Sequence, residues 1–451
     1  MSIKNICFLV SLNFLLSSEC LELKSLYESD NISASYALIM NKFMESNKAE
    51  YGSSDCNFIA YNIAVKLDDL ELAKKYIESA IKNEDSEIYR NEAEKLTKTI
   101  RDYKSSKYTL ENGTLDDAIN EFENKINSDD LLPVALFYKG LGTAYKKKHF
   151  ESDLTISDSN YFNNLDLAVD YFVQSININP YKDYDVEILN ISKYLTKSGK
   201  EFQKDDDYES ALLLFNKAID FSPNYKLSYF YKGQLYMRIQ DYELALESFQ
   251  SGLGDLGSNM KSANYKILYL VATAHERLGD LDKALVFYSN SFRNKSSYTK
   301  AQFGKANVLY KMQNFDDSET ELLDLIKSTP DYIKAYELIV NLYLDRNDLL
   351  NAKKYAELGV DFNSKSFALL AQLAFVSNEN KNYDEAINYA NNSMKYKPNY
   401  GPALIELGRA YTFNCKFVAA KDAFKRAKRF DRRMASELEK WSKDHTDSAC
   451  K

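Results

Sequence analysis

Histidine and cysteine are the side chains best suited to metal or nucleophilic chemistry, and this chain uses few of either. Its three histidines, His149, His275 and His445, lie far apart in sequence. None has a second histidine or a cysteine at the short spacing that a metal site or an activated nucleophile needs. No nucleophile-elbow, phosphate-loop or dinucleotide glycine motif occurs. The closest segment, Gly252-Leu-Gly254-Asp-Leu-Gly257, lacks a preceding strand and reads as a loop. Carboxylates are plentiful, but runs such as Asp205-Asp206-Asp207 fall at turns, where they cap helices. The expectation is a non-catalytic chain with no metal and no cofactor.

The elements that carry these residues show themselves through a beat. Ala284, Ser318, Ala352, Ala386 and Ala420 follow one another at 34-residue intervals, and Ala211 and Ala245 are separated by the same step. That is the length of one helix–turn–helix unit. Apolar residues recur at i, i+3, i+4 and i+7, and strand-like alternation is scarce. With 451 residues, 14 Gly and 6 Pro, no linker divides the chain. A stack of hairpins, each burying its apolar face against its neighbours, accommodates that length without one oversized core. The predicted fold class is all-α, a right-handed superhelical α-solenoid.

One unit illustrates the physics. Leu195, Gly199 and Phe202 share a face of a first helix, Asp205–Asp207 turn the chain, and Ala211, Phe215 and Ala218 line a second helix ended by Pro223. Small residues let the helices approach; aromatics plug the gaps. This pattern resembles the tetratricopeptide repeat. It recurs at Gly233, Tyr236, Ala245 and Phe249, at Ala272, Ala284 and Tyr288, at Ala306, Ser318 and Leu322, at Val340, Ala352 and Ala356, at Ala374, Ala386 and Ala390, and at Gly408, Ala420 and Phe424. We divide the chain into a leader at 1–20, divergent helical repeats at 21–135, the repeat array at 136–431 with an inserted loop at about 149–164, and a capping helix with tail at 432–451. Within the front region, Gly113, Ala118 and Phe122 suggest one hairpin and Ala64, Ala73, Ile77 and Ala80 another. Residues 21–50 add a half-unit.

The resemblance implies a partner lying along the concave face of the first helices. In this register the projecting residues are Lys193, Lys197, Lys200 and Lys204, then Phe230, Tyr231 and Arg238, then Lys266, Tyr269 and Arg277, then Lys300, Phe303, Asn307, Tyr310 and Lys311, and finally Lys334. The chain as a whole is acidic, with a net charge of −8, which argues against nucleic acid as a partner. A strip that gathers lysine and aromatics suits an extended or helical protein segment, acidic and with apolar anchors. Glu276, Glu337 and Asp345 dilute it. The lysine–asparagine clamp of family members that grip a C-terminal carboxylate is not reproduced, because Phe303 and Glu337 stand one turn before Asn307 and Asn341.

The N-terminus reads as an export signal: Lys4, an apolar run from Ile6 to Leu16, then Ser17-Ser18-Glu19-Cys20 with a cut near Leu21. Its apolar run is too short to cross a bilayer. Removing residues 1–20 leaves Cys56, Cys415 and Cys450, an odd set without metal spacing. The functional expectation is an exported scaffold or adaptor. The alternative is an accessory subunit of a membrane-tethered or cell-envelope assembly, held by a retained N-terminus or a lipidated Cys20.

Overall fold

The computed structural model of the protein describes residues 18–46, 51–254, 260 and 263–446. Most of the leader therefore lies outside the described residues, as do Cys450 and the end of the tail. Among the described residues there are 23 helices and no strand. They form two compact units, one ending at Tyr231 and the other beginning at Lys232.

The first unit contains α1 (Ser18–Glu28), α2 (Ile32–Ser46), α3 (Ser54–Lys66), α4 (Leu70–Asn83), α5 (Glu87–Asn112), α6 (Leu115–Ile126), α7 (Ala135–Phe150), α8 (Asn163–Ile178), α9 (Asp185–Lys204) and α10 (Tyr208–Phe221). Residues 21–50 thus hold a pair of helices, not a half-unit. Cys20 and Leu23 of α1 sit in one core with Cys56, Ala60, Ala73 and Tyr76. A disulfide joins Cys20 to Cys56, with Cα atoms 5.8 Å apart. A cut near Leu21, as the leader reading has it, would separate Cys20 from Cys56. Cys415 is also disulfide-bonded. Gly113 caps the long α5 and does not serve as a helix-crossing residue.

The inserted loop is shorter than its composition suggests. His149 and Phe150 belong to the last turn of α7, and residues 151–162 follow as a chain of turns. Asp158 folds these turns by accepting the Thr155 N–H at 2.6 Å. His149 is buried under Tyr161, their rings 4.9 Å apart edge to face, and burial lowers its pKa. It packs the loop onto the array.

The remaining helices are α11 (Lys226–Arg238), which crosses the unit boundary, α12 (Tyr242–Leu253), α13 (Tyr265–Arg277), α14 (Leu281–Asn294), α15 (Thr299–Lys311), α16 (Phe315–Ser328), α17 (Ile333–Asp345), α18 (Leu349–Phe362), α19 (Phe367–Glu379), α20 (Tyr383–Tyr396), α21 (Gly401–Phe413), α22 (Phe417–Ala427) and α23 (Arg432–Thr446). From α13 onward every first helix starts 34 residues after the last. Crossing residues are buried as expected: a Cβ on Gly408 would lie 2.5 Å from the Phe424 ring, and Ser318 Oγ donates to the Ala306 carbonyl at 2.9 Å. His275 is buried and stacks on Phe287, which agrees with a packing role. On the capping helix α23, Ala435 and Leu438 pack inward, whereas Met434 is 45% exposed.

Eight of the hairpin turns share one local solution. The second residue after the first helix adopts a positive φ, at Asp68, Asp206, Gln240, Gly279, Gln313, Asn347, Lys381 and Cys415. The next residue's N–H reaches back five positions, as in Asn314 to the Leu309 carbonyl and Asp348 to the Tyr343 carbonyl, both within 2.9 Å. This satisfies a carbonyl that the helix end leaves open. That next residue is usually Asp or Asn, and Asp69, Asp207, Asp241 and Asp348 cap the second helix through their side chains.

Candidate functional site

The sequence-derived strip divides between the two units. In the first, α9 presents Lys193, Lys197 and Lys204 to solvent, while Lys200 is half-buried with its ammonium 5.2 Å from the Tyr231 ring. Tyr231 stacks on Phe215 and meets Phe230, so both aromatics serve the hairpin crossing as well as the surface. Lys204 pairs with Glu201 at 2.7 Å, an exposed pair of small energetic value.

In the second unit, Arg238, Lys266, Arg277, Lys300, Lys311 and Lys334 are all exposed. Lys266, Lys300 and Lys334 occupy the same position in successive repeats, as do Tyr269 and Phe303. Tyr269 packs edge-on against Tyr298 at 5.4 Å, and Phe303 tilts against Tyr332 at 5.5 Å. Burial and the neighbouring tyrosines push the Tyr332 hydroxyl up to about 12. The result is a lysine row beside an aromatic ladder, both at repeat spacing.

Three strip residues are already engaged. Glu276 accepts from Asn307 Nδ2 and Lys311 Nζ, each at 2.7 Å, and from Tyr288 OH at the same distance. Tyr310 OH donates to Asp345. Asn307, Tyr310 and Lys311 therefore tie first helix to first helix, and Lys266, Lys300 and Lys334 carry the net positive charge of the row. Among the described residues no three His, Cys, Asp or Glu side chains converge as a metal-ligand set.

No protein-family model matches the chain. A TPR repeat-containing protein of Methanocaldococcus jannaschii is 28% identical over 196 residues, 40% of this chain and 33% of that protein. Protein bimA of Emericella nidulans is 28% identical over 96 residues, 21% of this chain and 11% of that one. The chain thus spans a third or less of the curated relatives it matches. The solved structure of a tetratricopeptide repeat protein from Parabacteroides merdae aligns with a TM-score of 0.46 and 17% identity, over 56% of this chain and 99% of that one. The hairpin register, the crossing glycines and alanines and the first of these relatives agree.

The described helices pair into hairpins of the tetratricopeptide-repeat type. The first helices supply the surface between hairpins, and the last repeats carry a feature that gathering lysines and aromatics passed over. A cleft of about 460 Å³ opens among α17, α19 and α21, with Phe430 and Met434 at its rim. Glu337, Gln372 and Glu406 line it together with Leu344, Phe375 and Ile405. Burial raises the pKa of both glutamates. The signal that could have found it is the same 34-residue register, followed past Lys334 to Ala368 and Pro402.

Proposed function

We propose that this chain is an exported, non-catalytic scaffold that binds an acidic segment of a partner protein, anchored by apolar side chains, on the face of its first helices. The observation that carries the binding part is the in-register row of Lys266, Lys300 and Lys334 beside Tyr269 and Phe303. Rigid repeats hold such groups at fixed spacing before the partner arrives, so ordering falls mostly on the partner. The test uses a random dodecapeptide display library against the full chain. Acidic peptides with aromatic or aliphatic anchors should be enriched, and Lys300→Glu with Lys334→Glu should remove them while circular dichroism is unchanged. Enrichment that ignores the charge reversal overturns the assignment.

Export is supported by the leader-like N-terminus and by the disulfides at Cys20–Cys56 and Cys415, which persist in oxidising compartments. A cut near Leu21 would release Cys20 with the leader, and a cut after Ser17 or Ser18 would retain it. The tethered alternative uses a retained N-terminus or a lipidated Cys20, whose thiol would then not be available to Cys56. Among the described residues no helix is long and apolar enough to cross a membrane. The mass of the mature N-terminal peptide decides: a chain starting near Leu21 excludes the tether, and one that keeps Met1 or a lipid on Cys20 overturns the cleaved-leader reading.

A further inference from the structure

Followed in register, the first-helix face of the second unit changes character partway along. The position held by Lys266, Lys300 and Lys334 becomes Ala368 and then Pro402. The position held by Tyr269 and Phe303 becomes Glu337 and then Ala371. Arg277 and Lys311 are followed by Asp345 and Glu379. One row thus turns from basic to acidic, and the alanines at 368 and 371 remove the bulk that fills it earlier. The cleft is the space they leave.

Its polar groups are mostly hydrogen-bond acceptors. Glu337 accepts only from Ser366 Oγ, at 3.2 Å, through its side chain. Gln372 commits its Nε2 to the Glu337 carbonyl at 3.0 Å and to Asn341 at 2.6 Å, which leaves its buried Oε1 without a partner. Behind them Asn378, 3% exposed, donates to Glu406 at 2.8 Å, and its own Oδ1 is likewise unpartnered. The cation within this group is Arg409, already shared between Glu406 and Glu379. Lys334 stands at the edge, exposed. Glu406 and Glu379 share that one arginine and Glu337 is held by a serine hydroxyl, so with the spare buried acceptors the group has an unmet demand for donors and positive charge.

We propose that this cleft receives a lysine or arginine side chain of a partner peptide, together with an adjacent apolar side chain. The alanine floor accommodates a long aliphatic stem, and the charged end meets Glu337 and the Gln372 oxygen. Phe375 offers a ring face to a cation, as it already does to Arg409 at 5.5 Å. The neighbouring apolar side chain covers Phe430, which is 62% exposed, and Met434. An acidic segment is rejected here by like charge. The proposal rests on the scaffold reading but concerns a different site and the opposite charge.

The same dodecapeptide library tests it, run on the native chain and on Ala368→Lys, which restores the lysine of the preceding repeats. Peptides lost on that substitution should carry Lys or Arg within two positions of an aromatic or aliphatic residue, at least ten-fold above their frequency in the input library. Binding of a selected peptide, followed by fluorescence anisotropy, should weaken at least ten-fold when its basic residue is replaced by neutral, isosteric citrulline or norleucine. If no peptides are lost, or those lost show no basic enrichment, the proposal fails. Loss of acidic peptides in Lys300→Glu reports separately on the scaffold reading, so the two can fail independently.

Discussion

The buried carboxylate of Asp68 is the most exacting structural test in the first unit. It sits at the turn between α3 and α4 with φ of 55° and is 9% exposed. Its Oδ1 accepts the Ala135 N–H at 3.0 Å, and its Oδ2 accepts from Asn179 Nδ2 at 2.6 Å and Tyr184 OH at 2.8 Å. Those donors come from the start of α7, the loop after α8 and the residue before α9. One side chain therefore joins positions 67, 111 and 116 residues away. Asp68→Ala strands three buried donors. At about 1–3 kcal/mol each, less what entering water restores and less the desolvation cost of the carboxylate itself, the net loss should be about 3–5 kcal/mol. Asp68→Asn keeps one acceptor and the turn preference of the left-handed region, so it should lose about half of that.

The assay is urea unfolding by circular dichroism combined with amide hydrogen exchange. Protection should fall across α7, α8 and the segment leading into α9. A double-mutant cycle sharpens the attribution. Tyr184→Phe alone should cost about 1 kcal/mol, but in the Asp68→Ala background it should cost nothing, because the hydroxyl it removes is then unsatisfied. A coupling near zero, or an Asp68→Ala loss below about 1 kcal/mol, would refute the claim that this carboxylate fastens the hairpins.

Other outcomes follow from single features. Gln313 and Lys381 hold positive φ without being glycine; Gln313→Gly and Lys381→Gly should each stabilise by about 0.5–1 kcal/mol, read as a higher Tm, and a lower Tm would contradict the strain argument. Reducing the Cys20–Cys56 bond, which closes a separation of 36 residues, should cost about 3–4 kcal/mol, with exchange protection lost first in α1 and α2; an oxidised chain in which peptide mapping finds both thiols free would defeat it. Burial raises the Glu337 pKa above 4.5, so the folded chain binds that proton more tightly than the unfolded one. Its stabilisation is full below about 4.5 and lost as pH rises through the raised value, so Glu337→Gln should gain on the native chain as pH rises above about 4.5; a Tm difference independent of pH would exclude this.

Legibility of the fold followed from how much each position is constrained. Where two helices cross, only a small residue fits, as at Gly199, which faces Phe215, and Gly408, which faces Phe424. Such positions repeat with the hairpin, and a 34-residue search finds them. Asp68 escapes that search because its partners lie two and three hairpins away, a spacing that no period encodes. Cys20 escaped because an apolar N-terminus reads as a leader, and a leader claims its last cysteine before pairing is considered. His149 looked like an insertion edge by composition, yet the ring of Tyr161 folds back to bury it.

The candidate face was harder to read for a related reason. Crossing positions are fixed by packing, so they look alike in every repeat. Surface positions of the first helices touch neighbours less and are free to differ, and such differences are where a binding surface can become selective. Selecting lysines and aromatics recovers Lys266, Lys300 and Lys334, but it stops where the residue type changes. Following the position instead shows lysine giving way to Ala368, and Lys311 giving way to Asp345 and Glu379. A partner segment meeting both stretches would be acidic along α13–α15 and basic at α19–α21. Its charge pattern would then fix the direction in which it lies, because reversal sets like charges together at both ends.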